Sequence, residues 1–105
     1  MNLHGKKLGI LISAAPDRPN FHHGIRLASA AMQRGLKVYV YCIDDAVLGL
    51  GCPELQQLSA GGSYLYACAY ALQRRNLQAG SGAILAGLTI VNDLMAATDR
   101  FVSFN

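Results

Sequence analysis

Short apolar runs of strand length alternate along the chain with segments of helical character. Lys7–Ser13 is almost wholly apolar, and Lys37–Ile43 is rich in Val and Tyr, so both predict buried strands. Between them, apolar residues recur at helical spacing, which predicts a helix capped by Asn20 and ended by Gly35. The links are short, so this β-α-β unit should have parallel strands and a right-handed crossover.

The second half of the chain continues the alternation less regularly. We expect one domain over residues 1–105, folded as a three-layer α/β sandwich around a mostly parallel, flavodoxin-like sheet. The next predicted elements are a short helix from Pro53, a strand over Tyr64–Ala67 and a helix after Cys68 that ends near Asn76. They are followed by a short strand within Ala79–Leu85, an apolar stripe of Leu88, Val91 and Met95, and a last strand over Asp99–Phe104.

Composition limits the classes of function. Hydrophobic residues make up 52% of the 105 residues and charged residues only 14%, so a chain this small should expose apolar surface and self-associate. The net charge is +3 and no basic run exceeds two residues, which argues against direct nucleic-acid binding. The apolar run Leu8–Ala15 is too short to span a membrane.

The three cysteines, Cys42, Cys52 and Cys68, show no CxxC pair and no metal-ligand spacing, so we expect no metal. An odd number of cysteines without a secretion signal points to the reducing cytoplasm. The only glycine-rich suggestion of a phosphate loop, Gly80–Gly82, lacks both the dinucleotide fingerprint and the Walker lysine. No cofactor is therefore expected.

Cys68 occupies a junction that favours thiol chemistry. It follows an apolar, aromatic strand and precedes strong helix formers, Ala69–Arg75. Backbone N–H groups at the start of a helix favour an anion, and a cysteine there ionises more readily. The alternative is a small buried cysteine at a strand end, because free cysteines are often buried.

Two histidines are candidates to support this thiol, and one other cysteine is a candidate second thiol. If the first and third strands were neighbours, the loop carrying His22 and His23 would share an edge of the sheet with Cys68, and a histidine could stabilise its thiolate. The alternative is that both histidines are solvated residues of the first helical turn. Cys52, in a glycine-rich loop before Pro53, is either a second reactive thiol or an incidental loop cysteine.

Three segments together resemble one known family. Cys68–Arg75, Gly82–Leu88 and Asp99–Phe104 resemble the cysteine-bearing segment and the ending of the DsrE/TusD family of sulfur-relay proteins. The resemblance implies that Cys68 accepts sulfane sulfur as a persulfide from a donor protein and passes it to an acceptor protein. The pathway would be of the sulfur-oxidation or tRNA-thiolation type.

The resemblance also implies a homo-oligomer, a trimer or hexamer, or a hetero-oligomer with paralogues. Two other hypotheses stay open at the level of sequence. The chain could be a non-catalytic interaction subunit of such an oligomer, or it could bind a small molecule at the switch point of the sheet.

Overall fold

Strands and helices alternate throughout the computed structural model, which describes residues 3–78, 80 and 82–105. Within those residues the strands are β1 (Lys7–Ile12), β2 (Lys37–Cys42), β3 (Tyr64–Cys68), β4 (Ile84–Ala86) and β5 (Arg100–Phe104). The helices are α1 (Pro19–Gln33), α2 (Pro53–Ala60), α3 (Ala69–Arg74) and α4 (Thr89–Ala97), and a 3₁₀ helix spans Asp44–Gly49.

The described strands form one sheet in the order β4-β3-β2-β1-β5, and every pair is parallel. The predicted α/β fold with a parallel sheet is therefore confirmed, but the strand order differs from the flavodoxin-like one. β2 lies between β1 and β3, so the premise that β1 and β3 are neighbours is wrong. Each short crossover places the next strand beside the previous one as far as β4, and only β5 returns to the free edge of β1.

Helices cover the two faces of the sheet unequally. Gly24 of α1 packs against the Ile12 side chain, whereas Gly9 faces the side chains of Phe101 and Thr98, the residue that ends α4. Because Gly9 and Ile12 point to opposite faces of β1, α1 and α4 lie on opposite sides of the sheet. The core side chains on the α1 side include Ile10 and Ile12.

Part of the α4 side of the sheet is open. The register places Tyr39, Tyr64, Tyr66 and Ile84 on this side, and we call these four residues the tyrosine face. The rings of Tyr39 and Tyr64 stack at 4.8 Å, yet Tyr64 is 47% exposed and Ile84 is 50% exposed. A single helix, α4, packs on this side against β1 and β5, which leaves β2, β3 and β4 less covered in the part of the chain described.

Several element boundaries differ from those predicted. The residue that caps α1 is Arg18 rather than Asn20, because Pro19 begins the helix and the Asn20 side chain donates instead to the carbonyl of Asn105 at 2.9 Å. The predicted role of Gly35 is confirmed: it follows α1 with a φ of +82°, a conformation that glycine adopts without strain.

The strand predicted within Ala79–Leu85 lies slightly later, at Ile84–Ala86, and Ala79 and Ser81 lie outside the described residues. The predicted apolar stripe of α4 is only partly buried. Leu94 is the buried residue of this helix, while Leu88 and Met95 are exposed. The helix thus carries more apolar surface than its contact with the sheet uses.

Candidate functional site

Cys68 is both the last residue of β3 and the residue that caps α3, as the sequence predicted. Its backbone is extended, with φ −66° and ψ 114°, and the chain turns helical immediately after it. The Sγ atom accepts a hydrogen bond from the backbone N–H of Ala71 at 3.5 Å. The thiol therefore replaces the usual Ser, Asp or Asn as the acceptor at a helix start.

The thiol faces the α4 side of the sheet and is nearly enclosed. Cys68 lies two residues after Tyr66 and four after Tyr64 along β3, so the three side chains share one face. Only 2% of Cys68 is exposed. A sulfur in this position is shielded from bulk water but lies at the carboxyl edge of the sheet, where active groups of parallel α/β proteins gather.

Tyr41 of β2 is the titratable neighbour of this thiol. The ring is fully buried, and its hydroxyl donates to the carbonyls of Ala86 at 3.1 Å and Gly87 at 3.2 Å. Burial, and secondarily the adjacent Cys68, raise the pKa of the Tyr41 phenol well above its ordinary value. This phenol therefore keeps its proton and remains a hydrogen-bond donor at every physiological pH.

The helix that begins at Cys68 is fixed to the segment that follows β2. The Arg75 guanidinium donates to Asp45 at 2.8 Å and to the carbonyl of Ala71 at 3.0 Å. Beside this contact, Asp44, Tyr70 and Arg74 help to line an open polar cavity of about 410 Å³. Arg75 is thus engaged within the chain, and the neighbouring Arg74 guanidinium bonds to the Tyr70 hydroxyl at 3.2 Å.

The other two thiols lie in environments that disfavour a thiolate. Cys42 is in the core, where burial raises the pKa of its thiol to about 12. Cys52 precedes α2 and is half-buried, and burial also raises the pKa of its thiol. Both groups are therefore protonated near neutral pH, which makes the Cys52 environment a poor one for the second reactive thiol considered from sequence.

The histidines lie near the start of α1 and are exposed. A ring nitrogen of His22 is 2.7 Å from the carbonyl oxygen of Pro16, and one of His23 is 3.1 Å from the side-chain oxygen of Asn20. The structure does not bring them together with Cys68, because β2 separates β1 from β3. Their predicted support of the thiolate rested on a strand order that the chain does not have.

A family model for the DsrE/DsrF-like family matches residues 6–104. The chain belongs to the DsrE/DsrF-like family. Membership supports a role of the sulfur-relay type at the level of the family. No curated protein matches the chain.

The DsrE/DsrF-like fold is seen again in a solved structure. The crystal structure of the YchN protein from E. coli superposes with a TM-score of 0.82 at 19% sequence identity, covering 94% of this chain and 99% of that one. At this identity the likeness concerns the fold alone.

Sequence reasoning missed one residue of this DsrE/DsrF-like site, Tyr41. Strand alternation could have placed Tyr39 and Tyr41 on one face, but only the register shows that Tyr41 reaches the level of Cys68.

Within the described ranges, no group of three or more His, Cys, Asp and Glu side chains is placed to hold a metal ion. Across the same ranges, no helix is both long and apolar enough to cross a membrane.

Proposed function

We propose that this DsrE/DsrF-like chain carries sulfane sulfur as a persulfide on Cys68 and passes it to a cysteine of a partner protein. The observation that supports this proposal most is the position of Cys68, at the end of β3 and at the cap of α3, with a backbone N–H directed at its sulfur. Cys42 ends β2 and Cys52 caps α2, whereas Cys68 is both the last residue of its strand and the residue that caps the helix after it.

The chemistry consists of two sulfur transfers without net oxidation or reduction. In loading, the Cys68 thiolate attacks the terminal sulfur of a donor persulfide, the S–S bond of the donor breaks, and the donor thiolate leaves. In unloading, the thiolate of an acceptor cysteine attacks the terminal sulfur on Cys68, and Cys68 leaves as a thiolate. The Ala71 N–H faces the sulfur that carries the charge before loading and after unloading.

Burial of the thiol implies that transfer requires a local opening. Only 2% of Cys68 is exposed, so a donor sulfur cannot approach it without displacing some of its surroundings. The neighbouring elements are short: β4 has three residues and α3 has six. Elements with so few backbone hydrogen bonds open more readily than the central strands, and we propose that a docked partner uses this opening.

The donor and acceptor of this relay would be proteins, in keeping with the cytoplasmic setting expected from the cysteines. We also propose that the chain self-associates through the tyrosine face, as a homo-oligomer of three or six copies or with paralogues. The exposed Tyr64 and Ile84 supply an uncharged surface that a second copy can cover. Cys68 lies on the same side of the sheet, so assembly would also shape access to the thiol.

A second candidate function is that of a non-catalytic interaction subunit, favoured by the same exposed apolar surface on the tyrosine face and α4. A third is small-molecule binding at the switch point between β1 and β5. Ser13, Arg18 and Asn105 help to line a cavity of about 510 Å³ there, which is large enough for a metabolite. Neither of these functions requires the Cys68 sulfur.

Peptide mapping separates these functions. The wild-type chain is incubated with a sulfane-sulfur donor, blocked with an alkylating reagent and digested, and the added sulfur is located by mass spectrometry. We expect it on Cys68, with loss in Cys68→Ser and retention in the matched variant Cys52→Ser. Equal loading of wild type and Cys68→Ser would reject the relay and leave the interaction subunit or the small-molecule site.

A further inference from the structure

The path of the Tyr41 side chain brings its hydroxyl to the reactive edge of the sheet. Tyr41 stands opposite Tyr66 on β3, yet its hydroxyl bonds to Ala86 of β4, one strand further on. The ring therefore crosses β3 on the α4 side, on which Tyr66 and Cys68 also project. Ala86 is the ladder partner of Cys68, so the hydroxyl and the thiol lie at the same level of the sheet.

The Tyr41 hydroxyl can exchange its present hydrogen-bond acceptors for another acceptor. A phenol has one proton, and here two carbonyl oxygens, of Ala86 and Gly87, share it at 3.1 and 3.2 Å. Both distances are long for an O–H···O bond, whose usual length is about 2.7–2.8 Å. A rotation of the O–H bond toward a nearby anion would therefore give up little hydrogen-bond energy.

The Cys68 sulfur needs such a donor when it is charged. Its one hydrogen bond within the described residues, from the Ala71 N–H, is 3.5 Å long, and the side chain is almost completely buried. A buried charge is strongly disfavoured unless hydrogen bonds replace the lost water. On the relay proposed above, this sulfur is a thiolate twice in each cycle, as nucleophile and as leaving group.

We propose that the Tyr41 hydroxyl is the second hydrogen-bond donor to the Cys68 thiolate, which makes Tyr41 a positioning residue of the sulfur relay. In the resting thiol the hydroxyl donates to the Ala86 and Gly87 carbonyls. When Cys68 ionises or releases its sulfur, the O–H turns toward Sγ. The proton stays on Tyr41 throughout, because burial opposes the phenolate. This inference rests on the proposed function for its role, but the contact itself does not require a sulfur donor.

Three elements that pack against one another, β3, the 3₁₀ helix and α3, carry other ionisable side chains. These include Tyr66 on β3, Asp44 and Asp45 on the 3₁₀ helix, and Tyr70, Arg74 and Arg75 at α3. Asp45 and Arg75 are engaged with each other, and the Arg74 guanidinium bonds to the Tyr70 hydroxyl at 3.2 Å. Tyr41, in contrast to these side chains, is fully buried, and the pKa of its phenol is raised first by burial and then by the neighbouring Cys68.

The test compares Tyr41→Phe with Ser63→Ala, a control that also removes a buried hydroxyl bonded to a backbone carbonyl, but at the opposite end of β3 from Cys68. The rate of Cys68 alkylation by iodoacetamide is followed against pH, with the Cys68 peptide quantified by mass spectrometry. The half-plateau pH is the pH at which the rate reaches half of its high-pH plateau. Loss of one hydrogen bond to a charged group should move this pH upward by about one unit in Tyr41→Phe and slow alkylation at neutral pH about tenfold. Ser63→Ala should follow the wild type.

The shape of the profile distinguishes donation from packing. If Tyr41 only holds the end of β4 in place, Tyr41→Phe changes the plateau rate at high pH and leaves the half-plateau pH unmoved, and the inference fails. Should Tyr41→Phe not fold by circular dichroism, 3-fluorotyrosine at position 41 keeps the ring and strengthens the donor. It should move the half-plateau pH downward, and an unmoved value would likewise overturn the inference. A wild type that takes no persulfide rejects the relay instead.

Discussion

The Arg75 guanidinium lies 2.8 Å from the Asp45 carboxylate and so joins the end of the helix begun by Cys68 to the 3₁₀ helix that follows β2. Both side chains are partly exposed, at 27% and 58%. Solvent therefore screens the pair, and its main effect is to fix the direction of α3 rather than to stabilise the fold strongly.

Arg75→Met should accordingly lower the free energy of unfolding by only about 0.5–1 kcal/mol, because the pair is exposed to water and salt. Urea unfolding measures this difference, and it should shrink in high salt as the wild type loses its ion pair. Arg74→Met, which removes the neighbouring guanidinium but leaves the pair, serves as control. A loss several times larger would mean that the pair acts as a buried one.

A second prediction concerns the glycine that ends the 3₁₀ helix. A Cβ atom on Gly49 would lie 2.8 Å from Cε2 of Phe21 and 2.9 Å from Cγ of Pro16, both closer than carbon atoms approach. Because Phe21 is in the core, Gly49→Ala should cost about 1–3 kcal/mol of stability.

Gly51→Ala is the matched control for this overpacking, since a Cβ atom there meets nothing within 4 Å. The two variants lie two residues apart, and thermal unfolding of both measures the difference. Equal melting temperatures for the two variants would show that the contact with Phe21 relaxes without cost.

Alkaline pH should destabilise the fold through Cys42. Burial raises the pKa of this thiol to about 12, whereas in the unfolded chain it titrates at an ordinary value near 9.0. Between these values only the unfolded chain has released the proton, so rising pH favours unfolding, by at most about 1.4 kcal/mol per pH unit for this group. The full contribution to stability is present below pH 9.0 and is lost toward about pH 12.

Cys42→Ala removes this contribution, so its unfolding free energy, although lower overall, should fall less steeply above pH 9.0 than that of the wild type. Urea titrations in steps of half a pH unit give both slopes. Part of the slope should remain in the variant, because the pKa of Tyr41 is also raised by burial. Identical slopes would assign the alkaline loss to other groups.

A fourth prediction concerns the tyrosine face. A charge placed there should oppose its burial by a second copy, so Ile84→Lys should reduce self-association at micromolar concentration. Leu48→Lys is the control, because Leu48 is a comparably exposed apolar residue on the 3₁₀ helix. Sedimentation velocity distinguishes an oligomer from an 11.2 kDa monomer. A wild type that sediments as a monomer, or equal loss in both variants, contradicts this assignment.

The sequence predicted much of the fold because its strongest signals are local. The apolar runs of β1 and β2, the helical spacing between them, and the Cys68 junction each lie within a few residues, and the structure has them where they were expected. The order of strands is not local. No periodicity in the sequence indicates that β2 lies between β1 and β3 or that β5 pairs with β1, and this order decides which loops at the carboxyl edge are neighbours.

The candidate site was predictable to the same extent. Cys68 was found because strand end and helix start are adjacent in sequence. Tyr41 was missed because its distance from Cys68 depends on register and on a ring that reaches across β3. The histidines were overvalued for the same reason, since their proximity to the thiol depended entirely on the strand order.

The most direct test of the account is the transfer of sulfur by a loaded chain. The wild type is loaded with a sulfane-sulfur donor, freed of the donor by gel filtration, and mixed with an acceptor thiol, and the sulfur that appears on the acceptor is counted per chain. We predict one transferable sulfur in the wild type and in Cys52→Ser, and none in Cys68→Ser. Transfer of the same amount by Cys68→Ser would contradict the account.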